Sequence, residues 1–272
     1  EDAGHSALFV GGCVRNALIE APVNDIDIST DAHPKSVMDI AKRAGFQAIP
    51  TGIDHGTITV VADGLAHEIT TYRKDVATDG RRAVVEFATT IKQDALRRDF
   101  TMNALYADRR GDVFDPLGGL ADLRNRLVRF IESPEQRIKE DYLRILRFFR
   151  FSSWYGNPEH GFDADTLAAI AQNIDGLCQL SKERITAEML KLLTAPDPAP
   201  SIAAMRATGV LHGVLPQAND QSFALLVHLE TLQNTTPNPI RRLANLCPSL
   251  PETCLRLSNA QRKMLDTIRT AI

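Results

Sequence analysis

The sequence predicts an α+β fold, a mixed β-sheet region at the N-terminal end followed by an all-helical remainder, on three observations. Residues 8–30, LFVGGCVRNALIEAPVNDIDIST, read as a strand, a Gly-Gly turn, a helix and a second strand. The segments 46–50, 57–62 and 66–72 alternate or run apolar with β-branched residues, as successive strands of a mostly antiparallel or mixed sheet do. Beyond Ser133-Pro134 the apolar residues recur at helical spacing, most clearly over 137–155, 163–174, 182–195 and 199–210, and more weakly over 221–233 and 259–271.

Taken in order, Leu8, Phe9 and Val10 form a short β-prone run that Gly11 and Gly12 end, because glycine lets the backbone turn sharply. A helix then starts at Cys13 or Val14 with Arg15 in its first turn. Free backbone amides beside a guanidinium suit a triphosphate. Asp25-Ile26-Asp27-Ile28 follows as strand, which turns both carboxylates to one face and the two isoleucines toward the core. Two neighbouring carboxylates repel unless a cation lies between them, and Mg²⁺ takes oxygen ligands of this kind while keeping substrate phosphates in its remaining positions. The alternative is an amphipathic strand with a wet acidic face. The Gly-Gly-x-x-Arg turn just upstream favours the metal.

Residues 34–44 read as a surface helix opened by Pro34, with Val37, Ile40 and Ala41 inward. Residues 73–83, RKDVATDGRRA, are charged, lack an apolar period and contain Asp79-Gly80-Arg81, so a flexible loop is expected. Ile91 to Arg98 reads as a helix running through RRDFTMNALY into a strand, and DPLGGLADLRNRLVRF as a turn, a short helix and a strand. The expected domains are 1–133, 134–196 and 197–272.

GGCVRN followed by DIDIST resembles the signature of polymerase β type nucleotidyltransferases, in particular class II tRNA nucleotidyltransferases (CCA-adding enzymes) and bacterial poly(A) polymerases. RRDFTMNALY at 97–106, DPLGGLADL at 115–123, EDYLRILRFFRF at 140–151 and SKERITAEMLKLL at 181–193 continue the resemblance over roughly the first two-thirds of the chain. It implies a nucleotidyltransferase catalytic head, a helical neck and a helical body that is short for the family. The implied reaction is template-independent addition of CMP and AMP, from CTP and ATP, to the tRNA 3′ acceptor end, with two Mg²⁺ ions and release of pyrophosphate. It also implies that Glu68 supplies a third carboxylate, though a solvated strand residue is equally compatible. Arg98 would face phosphate and Asp99 the ribose 2′-hydroxyl, with Asn103 bracing the site, unless Arg98-Asp99 is an ordinary salt bridge. The 73–83 loop would help the change from C to A addition, and the SKERITAEM segment, with Ser181 as N-cap, would stabilise the neck.

In a helix each residue turns about 100°, so Asp141 and Arg144 would lie on neighbouring turns as a fixed acceptor beside a fixed donor. Cytosine and adenine each show an amino donor next to a ring-nitrogen acceptor and match such a pair. Uracil and guanine invert both groups, which costs on the order of a few kcal/mol. Arg147 would then serve the triphosphate or base, and Arg150 a supporting or RNA-phosphate role.

Composition narrows the class further. The 272 residues are 44% hydrophobic and 24% charged, ordinary for a globular protein, with no apolar run long enough to span a membrane. A net charge of −3 argues against a uniformly basic nucleic-acid coat, so any RNA site must be a local patch. Cys13, Cys178, Cys247 and Cys254 are widely spaced, which suggests neither a zinc site nor a disulfide framework. With no signal peptide read before the first strand, a cytoplasmic or organelle-matrix location is expected. The chain opens at Glu1, so a processed or trimmed form is expected too. The competing functions are a poly(A) polymerase or partial CCA enzyme and, from another class, a non-catalytic nucleotide-binding or RNA-binding module. A dinucleotide-binding reading fails because no third glycine and no βαβ unit follow the turn.

Overall fold

A computed structural model describes residues 1–79, 82–251 and 254–270. Two compact units divide it, Glu1–Glu132 and Ser133–Ile272.

The first unit begins with β1 (Ala7–Val10), α1 (Gly12–Leu18), β2 (Asp27–Thr30), α2 (Pro34–Arg43), β3 (Gln47–Gly52), β4 (Thr57–Ala62) and β5 (Leu65–Thr71). It continues with β6 (Arg73–Asp79), β7 (Arg82–Phe87), α3 (Ile91–Leu96), β8 (Tyr106–Ala107), β9 (Val113–Phe114) and α4 (Gly119–Arg124). Seven strands form one sheet in the order β3-β4-β5-β2-β1-β8-β9, with β2 and β5 parallel and every other pair antiparallel. Alternation along the strands sorts the two faces. On one, Leu8 and Val10 pack with Ala95 of α3, Ala104 and Tyr106. On the other, Val37 and Ala41 of α2 meet Ile58, Val60 and Ile69, while Ile40 is only half-buried.

Three expectations about secondary structure in this unit are corrected first. The loop expected at 73–83 contains strands: β6 and β7 pair as an antiparallel two-stranded ribbon, with Arg73 opposite Phe87 and Lys74 opposite Glu86. Its root is held by cross-strand partners, including a Lys74–Glu86 ion pair at 3.0 Å, which an apolar-period search does not detect. Gly80 and Arg81 lie outside the described residues. The segment after Arg98 forms a short 3₁₀ turn at Thr101–Asn103 before the two-residue β8, and the strand expected near residue 130 is a single bridge between Phe100 and Phe130.

The second unit is helical: α5 (Pro134–Glu140), α6 (Leu143–Tyr155), α7 (Ala164–Gln172), α8 (Lys182–Leu193), α9 (Ala199–Ala207), α10 (Val210–Val214), α11 (Phe223–Leu232), α12 (Pro239–Leu246) and α13 (Asn259–Thr270). Phe148 and Phe149 of α6 meet Phe162 in its core. Arg242, 1% exposed, pairs with Glu230 at 2.7 Å and donates to the carbonyls of Leu193 and Ala195 at 2.8 and 2.5 Å. It thereby satisfies orphan carbonyls at the end of α8, where a cation is favoured. The single helix expected over 137–155 is two. α5 ends at Glu140, and Asp141 is extended at φ −155°, ψ 106°.

Candidate nucleotide-binding site

The Gly-Gly turn places the site. Gly11 sits at φ 73°, ψ −120°, a conformation open in practice only to glycine, and its amide donates to Leu105 O at 3.0 Å. α1, which follows, has seven residues, so its end attracts anions weakly and the positive charge at the turn comes mainly from side chains. Two guanidinia flank it. A Cβ built on Gly11 would lie 3.4 Å from Arg98 Nη1, and one on Gly12 would lie 3.8 Å from Arg15 Nη2.

Arg15 is buried and braced. Its Nε and Nη2 donate to Asn16 Oδ1 at 3.1 and 2.9 Å, and its Nη1 donates to Asn103 Oδ1. Asn103 in turn donates through Nδ2 to Asp99 Oδ1 at 2.9 Å, and Phe100 N donates to the same oxygen at 2.8 Å. Asn103 thus links the expected phosphate arginine to the expected ribose carboxylate.

The acidic residues differ in part from expectation. β2 begins only at Asp27, so Asp25 and Ile26 belong to the irregular segment before it. Ile26 does not point into the core. It is 37% exposed and lines an apolar cleft with Phe9, Val14, Val23 and Val113. Asp27 lies beside the first turn of α1, where Cys13 Sγ donates to its carbonyl at 3.8 Å. In the parallel β2–β5 pair it stands directly opposite Glu68, so both side chains leave the same face about 4.8 Å apart along the hydrogen-bonding direction. Desolvation pushes the Asp27 carboxyl above its ordinary range, Arg98 opposes that, and the nearby Asp25 charge adds to it. Among the described residues no three His, Cys, Asp or Glu side chains converge closely enough to form a metal cage by themselves.

A residue not anticipated from sequence anchors this face. Asp94 of α3 is fully buried and binds Arg97, Arg98, Tyr106 and Ser29. Burial alone would raise its pKa, but the Arg97 and Arg98 charges hold it well below the usual carboxylate range. Burial drives Tyr106 upward. The Arg98 guanidinium is held charged by Asp94 against the opposing effect of burial. The i, i+3 and i, i+4 spacing of Asp94 to Arg97 and Arg98 was the available signal.

In the second unit the expected Asp141–Arg144 pair is not on consecutive turns of one helix. Asp141 Oδ1 accepts from Leu143 N at 3.1 Å, which caps the start of α6 and breaks the helix there. Its Oδ2 accepts from Arg184 Nη2 at 2.6 Å, and Arg184 stands in the first turn of α8 behind the Ser181 N-cap. Arg144 donates to Glu140 Oε2 at 2.6 Å and to Arg137 O at 3.0 Å. Arg147 and Arg150 converge on the buried Glu188 of α8, at 3.8 and 2.6 Å, with both guanidinia over the Phe151 ring.

Residues 7–129 match the family described as poly A polymerase head domain, and residues 161–222 match the one described as probable RNA and SrmB-binding site of polymerase A. Over 245 residues the chain is 40% identical to the Mus musculus protein named CCA tRNA nucleotidyltransferase 1, mitochondrial, covering 89% of this chain and 56% of the relative. In both matched regions the chain is similar to CCA-adding enzymes and poly(A) polymerases. A second relative, the CCA-adding enzyme of Anoxybacillus flavithermus, is 39% identical over 216 residues, 79% of this chain and 52% of its own. The crystal structure of the Bacillus stearothermophilus CCA-adding enzyme in complex with CTP superposes with a TM-score of 0.74 at 33% identity, over 99% of this chain and 66% of that one. A tRNA nucleotidyltransferase complexed with a primer tRNA and an incoming ATP analog shares the fold, with a TM-score of 0.76 at 22% identity and coverage of 99% and 82%. The chain spans about half the length of the curated relatives it matches.

Proposed function

We propose that this chain transfers CMP and AMP from CTP and ATP to the 3′ end of tRNA, releasing pyrophosphate. The observation that carries the reading is the single face on which Asp27 and Glu68 stand in register beside the Gly11 turn, with Arg98 and Arg15 flanking that turn. The chemistry is attack of an RNA 3′-hydroxyl on the α-phosphorus, a reaction that needs in-line positioning and neutralisation of phosphate charge.

Arg98 and Arg15 hold the triphosphate as planar donors. Gly11 and Gly12 let the backbone approach it. Asp99, fixed by Asn103 and the Phe100 amide, accepts from the ribose 2′-hydroxyl. The raised pKa of Asp27 and its repulsion from Asp25 suit a divalent cation, so Asp25 and Asp27 would hold Mg²⁺, with Glu68 adjacent. Divalent ions held by these carboxylates would supply charge neutralisation for the leaving pyrophosphate and a lowered pKa for the attacking hydroxyl.

The second unit supplies base choice. Asp141 accepts from the exocyclic amino group of cytosine or adenine, and Arg144 donates to the adjacent ring nitrogen after exchanging its Glu140 contact. Arg147 and Arg150, steadied by Glu188, are further phosphate or base donors. We further propose a neck over 134–196 and a body over 197–272. Among the described residues no helix is long and apolar enough to cross a membrane. The mitochondrial name of the mouse relative supports an organelle matrix as the site of action, and the bacterial source of the Anoxybacillus flavithermus relative supports the cytoplasm.

The deciding experiment gives full-length protein and Mg²⁺ a tRNA lacking its terminal CCA, with CTP alone, ATP alone, or both. Completion of CCA only when both are present supports the reading. Long A tails on unrelated RNA would instead assign a poly(A) polymerase, and no incorporation would assign a binding module.

A further inference from the structure

A buried carboxylate that touches no expected substrate nonetheless lies at the junction of four elements of the first unit. Asp94 Oδ2 accepts from Arg98 Nη2 at 2.9 Å and Nε at 3.3 Å, from Tyr106 Oη at 2.7 Å and from Ser29 Oγ at 3.3 Å. Its Oδ1 accepts from Arg97 Nε at 2.9 Å and from the Arg73 backbone amide at 3.4 Å. Ser29 lies two residues along β2 from Asp27, on the same face, and Arg73 is the first residue of the β6–β7 ribbon.

The edge used by Asp94 decides which way Arg98 faces. With Nε and Nη2 committed to Asp94, the remaining nitrogen, Nη1, is the one that lies against Gly11. The Tyr106 ring, 5.5 Å from the guanidinium carbon, closes the other side. One carboxylate facing two arginines leaves a net positive charge in the cluster, and the geometry presents part of it at the turn.

We propose that Asp94 is the positioning residue of this site: it aims the Arg98 guanidinium at the triphosphate position while tying the strand of Asp27 and the root of the ribbon to the same carboxylate. It acts through Arg98 and does not touch substrate. The inference rests on the nucleotidyltransferase reading above, and its test separates the two.

Full-length wild type, Asp94→Asn, Arg98→Ala and the double variant are compared for CTP incorporation and, by calorimetry, for binding of inorganic tripolyphosphate. A positioning residue whose loss loosens its partner costs about 10- to 100-fold in kcat/KM and weakens tripolyphosphate binding in parallel. In the Arg98→Ala background the same Asp94→Asn change then has little further effect, because the group it aimed is gone. Full additivity of the two substitutions, or tripolyphosphate binding unchanged by Asp94→Asn, overturns the proposal. Should Asp94→Asn not fold, Tyr106→Phe removes one donor from the same oxygen, together with the Oη that accepts from Arg98 Nε at 3.3 Å, and leaves both ion pairs. It is expected to weaken tripolyphosphate binding about fivefold, the worth of one hydrogen bond, in the wild type and not in the Arg98→Ala background. An unchanged affinity there refutes the proposal as well. Wild type that binds tripolyphosphate but adds no nucleotide fails the functional reading while leaving the role of Asp94 testable by binding.

Discussion

Gly11→Ala and Gly12→Ala, adjacent and chemically identical changes, are expected to part company. At φ 73°, ψ −120° an alanine at position 11 is strained even where there is room, and its Cβ would meet Arg98 Nη1 at 3.4 Å and Asn103 O at 3.5 Å. Conformations of this kind cost on the order of 1–3 kcal/mol in a residue bearing a side chain. For a unit of this size 1 kcal/mol shifts the melting temperature by about 4 °C, so the transition of the first unit should fall by about 4–12 °C. Gly12 is the first residue of α1, has no positive φ, and its Cβ would meet only Arg15 Nη2 at 3.8 Å, an ordinary contact. Alanine there should leave stability unchanged or raise it by up to about 1 kcal/mol, since it narrows the unfolded ensemble. Both variants should lose CTP incorporation, because the proposed triphosphate lies against this backbone, with KM raised about tenfold or more. The assay pairs calorimetric melting with initial-rate incorporation on CCA-less tRNA. Gly11→Ala melting within about 1 °C of wild type, or Gly12→Ala losing as much stability as Gly11→Ala, would refute the backbone argument.

Asp27, whose folded pKa is raised, penalises the folded state increasingly as pH climbs above the unfolded carboxylate value of about 3.9. Without Mg²⁺, Asp27→Asn should therefore melt no lower than wild type at pH 7, with the difference closing toward pH 4, and Mg²⁺ should raise the melting temperature of wild type only. A metal-independent melting temperature in wild type would contradict the cation site. Asp141→Ala should reduce the preference for CTP over UTP by about a hundredfold in single-nucleotide incorporation, as expected when a site loses its polar reader. An unchanged preference would remove Asp141 from base choice. Arg242→Met leaves the buried Glu230 with Arg241 as its ion-pair partner among the described residues and strips the carbonyl partners at the end of α8, so the second unit should lose about 3 kcal/mol in denaturant unfolding. A loss under about 1 kcal/mol would show that neighbouring donors replace it.

Residues whose roles are local were legible. The Gly-Gly turn, the Pro34 helix start and the Ser181 cap depend on a few consecutive residues, and each stands where its chemistry places it. The β-branched segments after Gly45 form β3, β4 and β5 because their side chains fit a half-buried pleated surface whatever the neighbours are. The ribbon escaped because its strands are stabilised by each other, and the α5–α6 break escaped because no glycine or proline marks it. There the side chain of Asp141 caps α6 itself and is held by Arg184, 43 residues further along the chain.

By itself the sequence carried the local pattern on which the proposed phosphate and metal chemistry rests: a glycine turn, a pair of nearby aspartates, and arginines in ordered motifs. Only the tertiary structure decided which groups face one another. It set Glu68 beside Asp27 through a parallel pairing between distant strands, began β2 after Asp25, and gathered Ser29, Arg73, Arg98 and Tyr106 onto Asp94. Spacing along the chain specifies which residues share a face, whereas strand register and the packing of side chains at 3 Å are settled only when segments remote in sequence fold together.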